Sequence, residues 1–382
     1  MKLGGSWLKA TVLSLLSVGL WACTCDRTRR SSSTTAPPPA ASALQTTGPS
    51  AERSLLGSSY LFVSNEGSNT VTAIDSTTDE AVTRIDVGMR PRGLQVSPDG
   101  RALYVALSGS PRAAPGIDVS KLPPPARGQD GIGWINLSRG RLVAMLRSGP
   151  DPEAFDVTPD GTMLYVSNEA SAQATVLDIG ARQIARTLSV CAEPGGVSVS
   201  PDGRFAYIAC GVDDRVDVIH TARRVVFKSI PTSQRPRQIV FTGDGAHAYV
   251  SAESGSAVNV LDAARHERVA TIPLPAEPPA QNGPSPMGLV LSPDQRTLYV
   301  TTGSAGGIAV IDTASRKVTR TFKAVGARPF GIAISHDGRK LYTANGPSDD
   351  VSVIDAESGV ILKKIPTGRL PWDIVSAPAP AP

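Results

Sequence analysis

Pro91-Arg92-Gly93-Leu94-Gln95-Val96-Ser97-Pro98-Asp99-Gly100-Arg101-Ala102-Leu103-Tyr104-Val105 is the stretch that decides the fold. A proline leads a short apolar strand, a Ser-Pro-Asp-Gly turn reverses the chain, and a second apolar strand ends in Tyr-Val. The proline and its strand return at Pro152, Pro194, Pro236, Pro286, Pro329 and Pro371. Self-similarity of this kind means repeated supersecondary units.

The Tyr-Val pair is the best ruler along the chain. It stands at Tyr104-Val105, Tyr165-Val166, Tyr249-Val250 and Tyr299-Val300, with Phe62-Val63, Tyr207-Ile208 and Tyr342-Thr343 as variants. A third strand follows each pair, ending at Asp75, Asn136, Asp178, His220, Asp262, Asp312 and Asp355, and a fourth precedes the next proline. Four short strands in about 40–45 residues make one blade of a β-propeller. The expected fold is therefore all-β: a seven-bladed propeller with four antiparallel strands per blade. A lone blade exposes both faces, so the ring must close. The unit holding Phe62 has no proline-led strand of its own, while Leu370-Pro371-Trp372-Asp373-Ile374-Val375 stands spare at the far end. The C-terminal strand is expected to pair into the N-terminal blade.

Composition agrees. The 382 residues are 41% apolar and 19% charged, with 36 Gly and 32 Pro, which suits a turn-rich β-protein. A formal net charge of +4 is too slight for a nucleic-acid partner, which would want a concentrated basic face.

The first residues read as an export signal. Lys2 and Lys9 flank a basic start, and Thr11 to Trp21 is apolar but too brief for a membrane span. Leu20-Trp21-Ala22-Cys23 resembles a bacterial lipobox, which implies residues 1–22 as a lipoprotein signal peptide and lipidation of Cys23. An ordinary cleaved secretory peptide is the alternative. Residues 23–53, rich in Ser, Thr and Pro, read as a flexible tether. The propeller is assigned to 54–376 and a Pro/Ala tail to 377–382. The expected location is the cell envelope, with a lipid anchor as the only membrane contact.

The chain resembles the YVTN-repeat seven-bladed propellers of bacteria and archaea. The matching elements are Ser97-Pro98-Asp99-Gly100, Ser200-Pro201-Asp202-Gly203, Ser335-His336-Asp337-Gly338, Phe62-Val63-Ser64-Asn65 and Val351-Ser352-Val353-Ile354-Asp355. The resemblance covers about residues 58–376. It implies the propeller fold, and it implies surface, periplasmic and lactonase-like roles without choosing among them.

In a propeller the first strand of each blade lines the central channel. Two long intervals, Leu107 to Asp130 and Pro273 to Ser285, fall on connections at one face, together with the prolines. The same face carries the candidate ligand-binding residues of the channel mouth: Arg90, Arg92, Glu153, Glu193, Arg235, Arg237, Arg328, Phe330 and Trp372. Guanidinium groups suit carboxylate or phosphate ligands. Arg beside Pro is also part of the repeat, so any single Arg is read first as pairing with acids on neighbouring blades.

Cys191 opens a first strand and Cys210 ends the second strand of the same blade, and in an oxidising compartment this predicts a disulfide. The alternative is two buried thiols. His220, His247, His266 and His336 do not converge in the alignment of repeats, so no metal site, cofactor or catalytic residue is assigned. The acids that end the third strands, Asp75 to Asp355, read as turn formers. Two functions follow. One is a non-enzymatic scaffold, a monomeric ring binding a protein, peptide or glycan through the face with the insertions. The alternative is a lactonase-like hydrolase at the channel mouth, with Glu153 or Glu193 as base and Arg235 or Arg237 stabilising the oxyanion.

Overall fold

The computed structural model describes residues 53–56, 60–112, 118, 121–276 and 283–377. The signal segment, Cys23, most of the tether and most of the Pro/Ala tail lie outside the described residues. Parts of both long connections do as well.

Among the described residues the strands form seven four-stranded antiparallel sheets. Blade 1 combines Pro371–Ser376 with Tyr60–Asn65, Thr70–Asp75 and Glu80–Asp86. Blade 2 runs Pro91–Val96, Ala102–Leu107, Gly131–Asn136, Arg141–Leu146, and blade 3 runs Pro152–Val157, Met163–Asn168, Gln173–Asp178, Gln183–Ser189. Blade 4 is Pro194–Val199, Phe205–Cys210, Arg215–His220, Val225–Pro231. Blade 5 is Pro236–Phe241, His247–Ala252, Ala257–Asp262, Glu267–Pro273. Blade 6 begins with the short strand Leu289–Leu291 and continues through Thr297–Thr301, Ile308–Asp312 and Lys317–Phe322. Blade 7 is Pro329–Ile334, Lys340–Asn345, Asp350–Asp355, Ile361–Pro366.

The ring closes as the sequence requires: Val375 faces Phe62 and Ile374 faces Val63, so the C-terminal strand completes blade 1. The reason is burial. Tyr60–Asn65 and Ala102–Leu107 are buried at every position, whereas the outer strand Arg141–Leu146 alternates with solvent. Inner strands are covered on both faces by the adjacent blades, so they read as continuous apolar runs. The core is accordingly divided into clusters between successive blades. One joins Phe62, Val71 and Ile85 of blade 1 to Leu94, Leu103 and Val105 of blade 2; another joins Leu61, Val63 and Ile374 to Tyr342 and Val353 of blade 7. Leu55, ahead of the first strand, is buried in the cluster of blades 1 and 2, with its N–H donating to Leu137 O at 2.8 Å.

The strand-ending acids act as turn formers. Asp75 Oδ1 accepts from Thr77 N at 2.8 Å, Asp178 Oδ1 from Ala181 N at 2.8 Å, and Asp355 Oδ1 from Ser358 N at 2.7 Å. On the channel wall, each proline-led strand slips its register after the proline: Pro91 faces Leu107, and the ladder resumes with Leu94 facing Val105. Side chains satisfy the freed N–H groups. Ser167 Oγ accepts from Ala154 N, Ser251 Oγ from Gln238 N and Ser64 Oγ from Asp373 N, at 3.2, 3.0 and 3.1 Å. Two acids reach between blades. Asp373 Oδ2 accepts from Leu94 N at 3.0 Å, and Asp156 accepts from Val199 N and from Gln95 Nε2, both at 2.8 Å.

Cys191 and Cys210 form a disulfide with a sequence separation of 19. Cys191 lies just ahead of its strand rather than within it, since the ladder of blade 4 starts at Pro194, opposite Cys210. Replacing either cysteine by serine is expected to cost about 3 kcal/mol by the loop-closure argument. Calorimetry of Cys191→Ser beside wild type, with and without reductant, checks this: reductant should lower the wild-type melting temperature and leave the variant unmoved.

Burial pushes the Asp156 and Asp373 carboxyls up to about 6 each, against the lowering effect of their backbone hydrogen bonds. The folded state therefore holds these protons more tightly than the unfolded chain. Their contribution is fully present below the unfolded value of about 4 and is lost as pH rises through 6. The turn acids Asp99, Asp202 and Asp337 lie below the usual range and act in the opposite sense at lower pH. The melting temperature should fall between pH 5 and pH 8, and an Asp156→Asn, Asp373→Asn double variant should flatten that slope.

Candidate functional site

In six blades the register slips after the proline, and the residue after each of the seven prolines stands at the channel mouth. Going round the ring these residues are Arg92, Glu153, Gly195, Arg237, Met287, Phe330 and Trp372. The mouth is thus divided into a charged half on blades 2 to 5 and an apolar half on blades 6, 7 and 1. Beneath it lies a cavity of about 270 Å³ whose wall includes Glu153, Arg237, Met287, Phe330, Trp372, Asp156 and Asp373.

The residue before the proline is left-handed in six blades: Arg90, Asp151, Glu193, Arg235, Arg328 and Leu370 have φ between 44° and 58°. That conformation costs roughly 1–2 kcal/mol for each L-residue. In three of them an Asn or Asp just ahead of the third strand holds the residue by its own N–H. Asn69 Oδ1 accepts from Arg90 N at 3.2 Å, Asp214 Oδ1 from Arg235 N at 2.8 Å and Asp349 Oδ1 from Leu370 N at 2.8 Å.

Arg92 is the centre of the charged half. Its Nη1 donates to Glu169 Oε2 at 2.8 Å and sits 3.5 Å from Glu153 Oε2, and its Nε lies 3.5 Å from Glu66 Oε1. Arg90 pairs with Glu66 at 2.8 Å and donates to Ser110 O at 3.0 Å, which ties the long connection of blade 2 to the rim. Across the mouth, Arg237 lies 3.8 Å from Glu153 Oε1 and 3.4 Å from Glu253 Oε2. Glu253 also meets Arg235 at 3.0 Å and Arg328 at 3.9 Å.

Arg92 is held further above its ordinary value. Its burial alone would lower it, but the surrounding carboxylates of Glu153, Glu169, Glu66 and Asp151 outweigh that. Burial pushes the Glu153 carboxyl well above the carboxylate range, and the neighbouring Glu169 charge pushes the same way, against Arg237 and Arg92. Glu169 is less buried, and Arg92 holds it below its ordinary value despite its own desolvation. One guanidinium nitrogen, Arg92 Nη1, thus reaches both carboxyls, and their surroundings push the two proton affinities apart, Glu153 upward and Glu169 downward.

The apolar half is a stack. Phe330 and Trp372 lie 4.7 Å apart between ring centroids at 24°, with the Arg92 guanidinium 5.4 Å over Trp372 and Arg328 5.2 Å over Phe330. Arg328 is half exposed and also reaches Glu253 of blade 5.

Of the residues expected at the mouth, Arg92, Glu153, Arg237, Phe330 and Trp372 come together. Arg90, Arg235 and Arg328 form the outer rim. Glu193 does not join them: it is exposed, and its carbonyl accepts from Gly211 N. The expected arginine–acid pairing between neighbouring repeats and the expected clustering at the mouth both occur. The residues the repeat alignment missed are Glu66, Glu169 and Glu253. Each directly follows the second strand of its blade, after Asn65, Asn168 and Ala252, so the signal lay one residue past the ruler pair's strand.

The histidines behave differently from the alignment in one respect. His220 and His266 both sit edge-on to Phe205 and Phe227, and His266 Nδ1 lies 2.7 Å from Tyr207 Oη. Phenyl rings intervene between the two imidazoles, so the cluster is packing. Among the described residues one group has metal-ligand spacing, Cys191, Cys210 and Asp217, but both sulfurs are in the disulfide, and Arg215 and Ser229 hold Asp217.

Residues 197–365, from the first strand of blade 4 into the last strand of blade 7, match the family of lactonases with a seven-bladed β-propeller. No curated protein matches the chain. Among solved structures it is similar to the periplasmic gluconolactonase of Pseudomonas aeruginosa, at 22% identity and a TM-score of 0.67, over 84% of this chain and 99% of that one. A putative 6-phosphogluconolactonase from Bacteroides fragilis gives 18% identity and a TM-score of 0.68, over 84% and 98%. The hydrazine synthase of Kuenenia stuttgartiensis gives 22% and 0.62, over 76% and 92%. Likeness at such identity speaks for the fold, and the chain is similar to the lactonase-like seven-bladed propellers.

Proposed function

We propose that the protein is a lactonase-like hydrolase acting at the channel mouth. The observation that carries this reading is the pair of carboxyls, Glu153 and Glu169, held by one Arg92 nitrogen, with Arg237 3.8 Å from Glu153 in the wall of a cavity. Two carboxyls whose surroundings split their proton affinities are the arrangement that supplies an acid and a base at one place. The similarity of residues 197–365 to lactonases supports the same reaction class, although Glu153, Glu169 and Arg92 fall outside the matched residues.

The chemistry runs as follows. Glu169, kept ionised by Arg92, takes a proton from water while the water oxygen bonds to the carbonyl carbon of a cyclic ester. Arg237 stabilises the oxyanion that forms. The ring C–O bond then breaks, and Glu153 gives its proton to the departing alkoxide. The product is an open hydroxy acid, and the carboxyl pair again holds one proton. Met287, Phe330 and Trp372 offer the apolar face of the substrate ring a surface of matching character. Glu153 thus serves as acid rather than as the base the sequence suggested, because burial keeps its proton on. Glu193 and Arg235 have no part in the reaction, being exposed and at the rim respectively.

The scaffold expectation has no comparable support: no observation identifies a protein, peptide or glycan surface, and the charged mouth is largely paired within itself. Export and lipidation of Cys23 stay part of the proposal, supported by the Cys191–Cys210 disulfide, which fits an oxidising compartment. A monomeric ring at the cell envelope completes it.

A panel of five- and six-membered lactones, followed by acid release, tests the reading. Glu153→Gln and Arg237→Ala should each lower kcat/KM on the turned-over lactone by about 100-fold or more. A wholly silent panel with correctly folded protein would overturn it. Its pH profile should be bell-shaped. Activity falls on the acid side as Glu169 takes a proton, at a pH below the ordinary carboxylate range. It falls on the alkaline side as Glu153 loses its own, at a pH above that range. Glu153→Gln should abolish the alkaline limb.

A further inference from the structure

Six of the seven residues that follow the strand-leading prolines carry a large side chain, and blade 4 alone carries glycine, Gly195. The backbone does not ask for it. Gly195 is absent from the left-handed residues, and a Cβ built there would meet only ordinary contacts: Glu153 Oε1 at 3.8 Å, Arg237 O at 3.8 Å and Ala209 O at 3.9 Å. The next residue is the reverse case. A Cβ on Gly196 would lie 2.2 Å from Arg237 O, so glycine is obligatory there for blades 4 and 5 to approach.

The contacts around Gly195 say what its missing side chain makes room for. Glu153 belongs to blade 3 and Arg237 to blade 5, and their 3.8 Å contact passes directly over blade 4. A side chain of the size found at the other six positions would grow from a Cβ already 3.8 Å from both Glu153 Oε1 and Arg237 O, between the two residues. A Gly-Gly pair in a channel wall also leaves the strand loose, and this is the blade with the disulfide, whose Cys210 lies opposite Pro194. The crosslink fixes the strand that two glycines would otherwise free.

We propose that Gly195 is a positioning residue: by carrying no side chain it lets the Glu153 carboxyl face Arg237 across blade 4. The role in turnover rests on the hydrolase reading, whereas the contact itself does not. Arg237 draws the proton affinity of Glu153 down, so separating the two must raise it. A bulky apolar residue at 195 also shields the carboxyl from water, which acts in the same direction.

The test compares Gly195→Leu, Gly195→Val and Gly195→Ala with wild type. Protein labelled with 13C at the glutamate carboxyl is titrated by NMR, and the Glu153 signal is assigned by its loss in Glu153→Gln. In Gly195→Leu the Glu153 midpoint should move up by about one pH unit, with the alkaline limb of the lactonase profile following it. In Gly195→Ala the midpoint should stay near that of wild type, because a Cβ alone touches Oε1 without displacing it. Folded Gly195→Leu with an unmoved midpoint overturns the proposal. If Leu does not fold, Gly195→Val carries the same reading. Failure of both to fold makes the position structural and overturns the proposal as well. Wild type silent on lactones, but with the midpoint moved in Gly195→Leu, sinks the hydrolase reading and leaves the positioning role standing.

Discussion

Face-to-face burial between neighbouring blades is the constraint on which the rest depends. A four-stranded blade of this composition has two apolar faces and cannot bury either alone, so each must find a neighbour and the last must meet the first. Pairing Pro371–Ser376 with Tyr60–Asn65 meets that need, and it brings Trp372 and Asp373 round to stand beside Arg92 and Leu94. Ring closure and the composition of the mouth are therefore one event. Trp372 reaches both Phe330 and Arg92 only because the C-terminal strand is the inner strand of the N-terminal blade.

The inner strands solve a second problem created by the first. On the inner strands of six blades the ladder slips after the proline. The slip leaves N–H groups without ladder partners, and the hydroxyls of Ser64, Ser167 and Ser251 and the carboxyls of Asp156 and Asp373 satisfy them. One side chain per blade stands at the opening. The mouth is thus a ring of positions that the fold leaves free in identity, and here five of them hold two arginines, one glutamate, a phenylalanine and a tryptophan. Burying those charges is expensive, and the cost is met by mutual pairing.

Much of this was legible beforehand. The proline-led strands, the Tyr-Val pairs and the spare strand at Pro371 specified the number of blades and the closure, because burial on both faces forces the same apolar pattern into every unit. The turn roles of Asp75, Asp312 and Asp355 followed from their place before Ser76, Thr313 and Ala356. The site was legible in part: residues on both sides of the prolines were expected at the mouth, and of these Arg92, Glu153, Arg237, Phe330 and Trp372 come together while Glu193 does not. Glu66, Glu169 and Glu253 were not recognised, since they lie beyond the repeat's apolar signal, where one acid looks like any other loop residue. The choice of Glu153 over Glu193 was equally out of reach. They stand in consecutive repeats, one after its proline and one before it, and that offset separates a buried carboxyl from an exposed one.

The sequence by itself determined the fold, its blade count and the closure of its ring, because these depend on periodic burial, which a linear pattern records. Only the tertiary structure decided which charges meet. Glu153 contacts Arg92 on one side and Arg237 on the other, from blades on either side of its own, and the second contact exists because blade 4 presents Gly195 between them. Such contacts depend on distances across a closed ring of a few ångströms' tolerance, and proton affinities depend on the burial that the same closure creates. No local stretch of sequence carries either quantity.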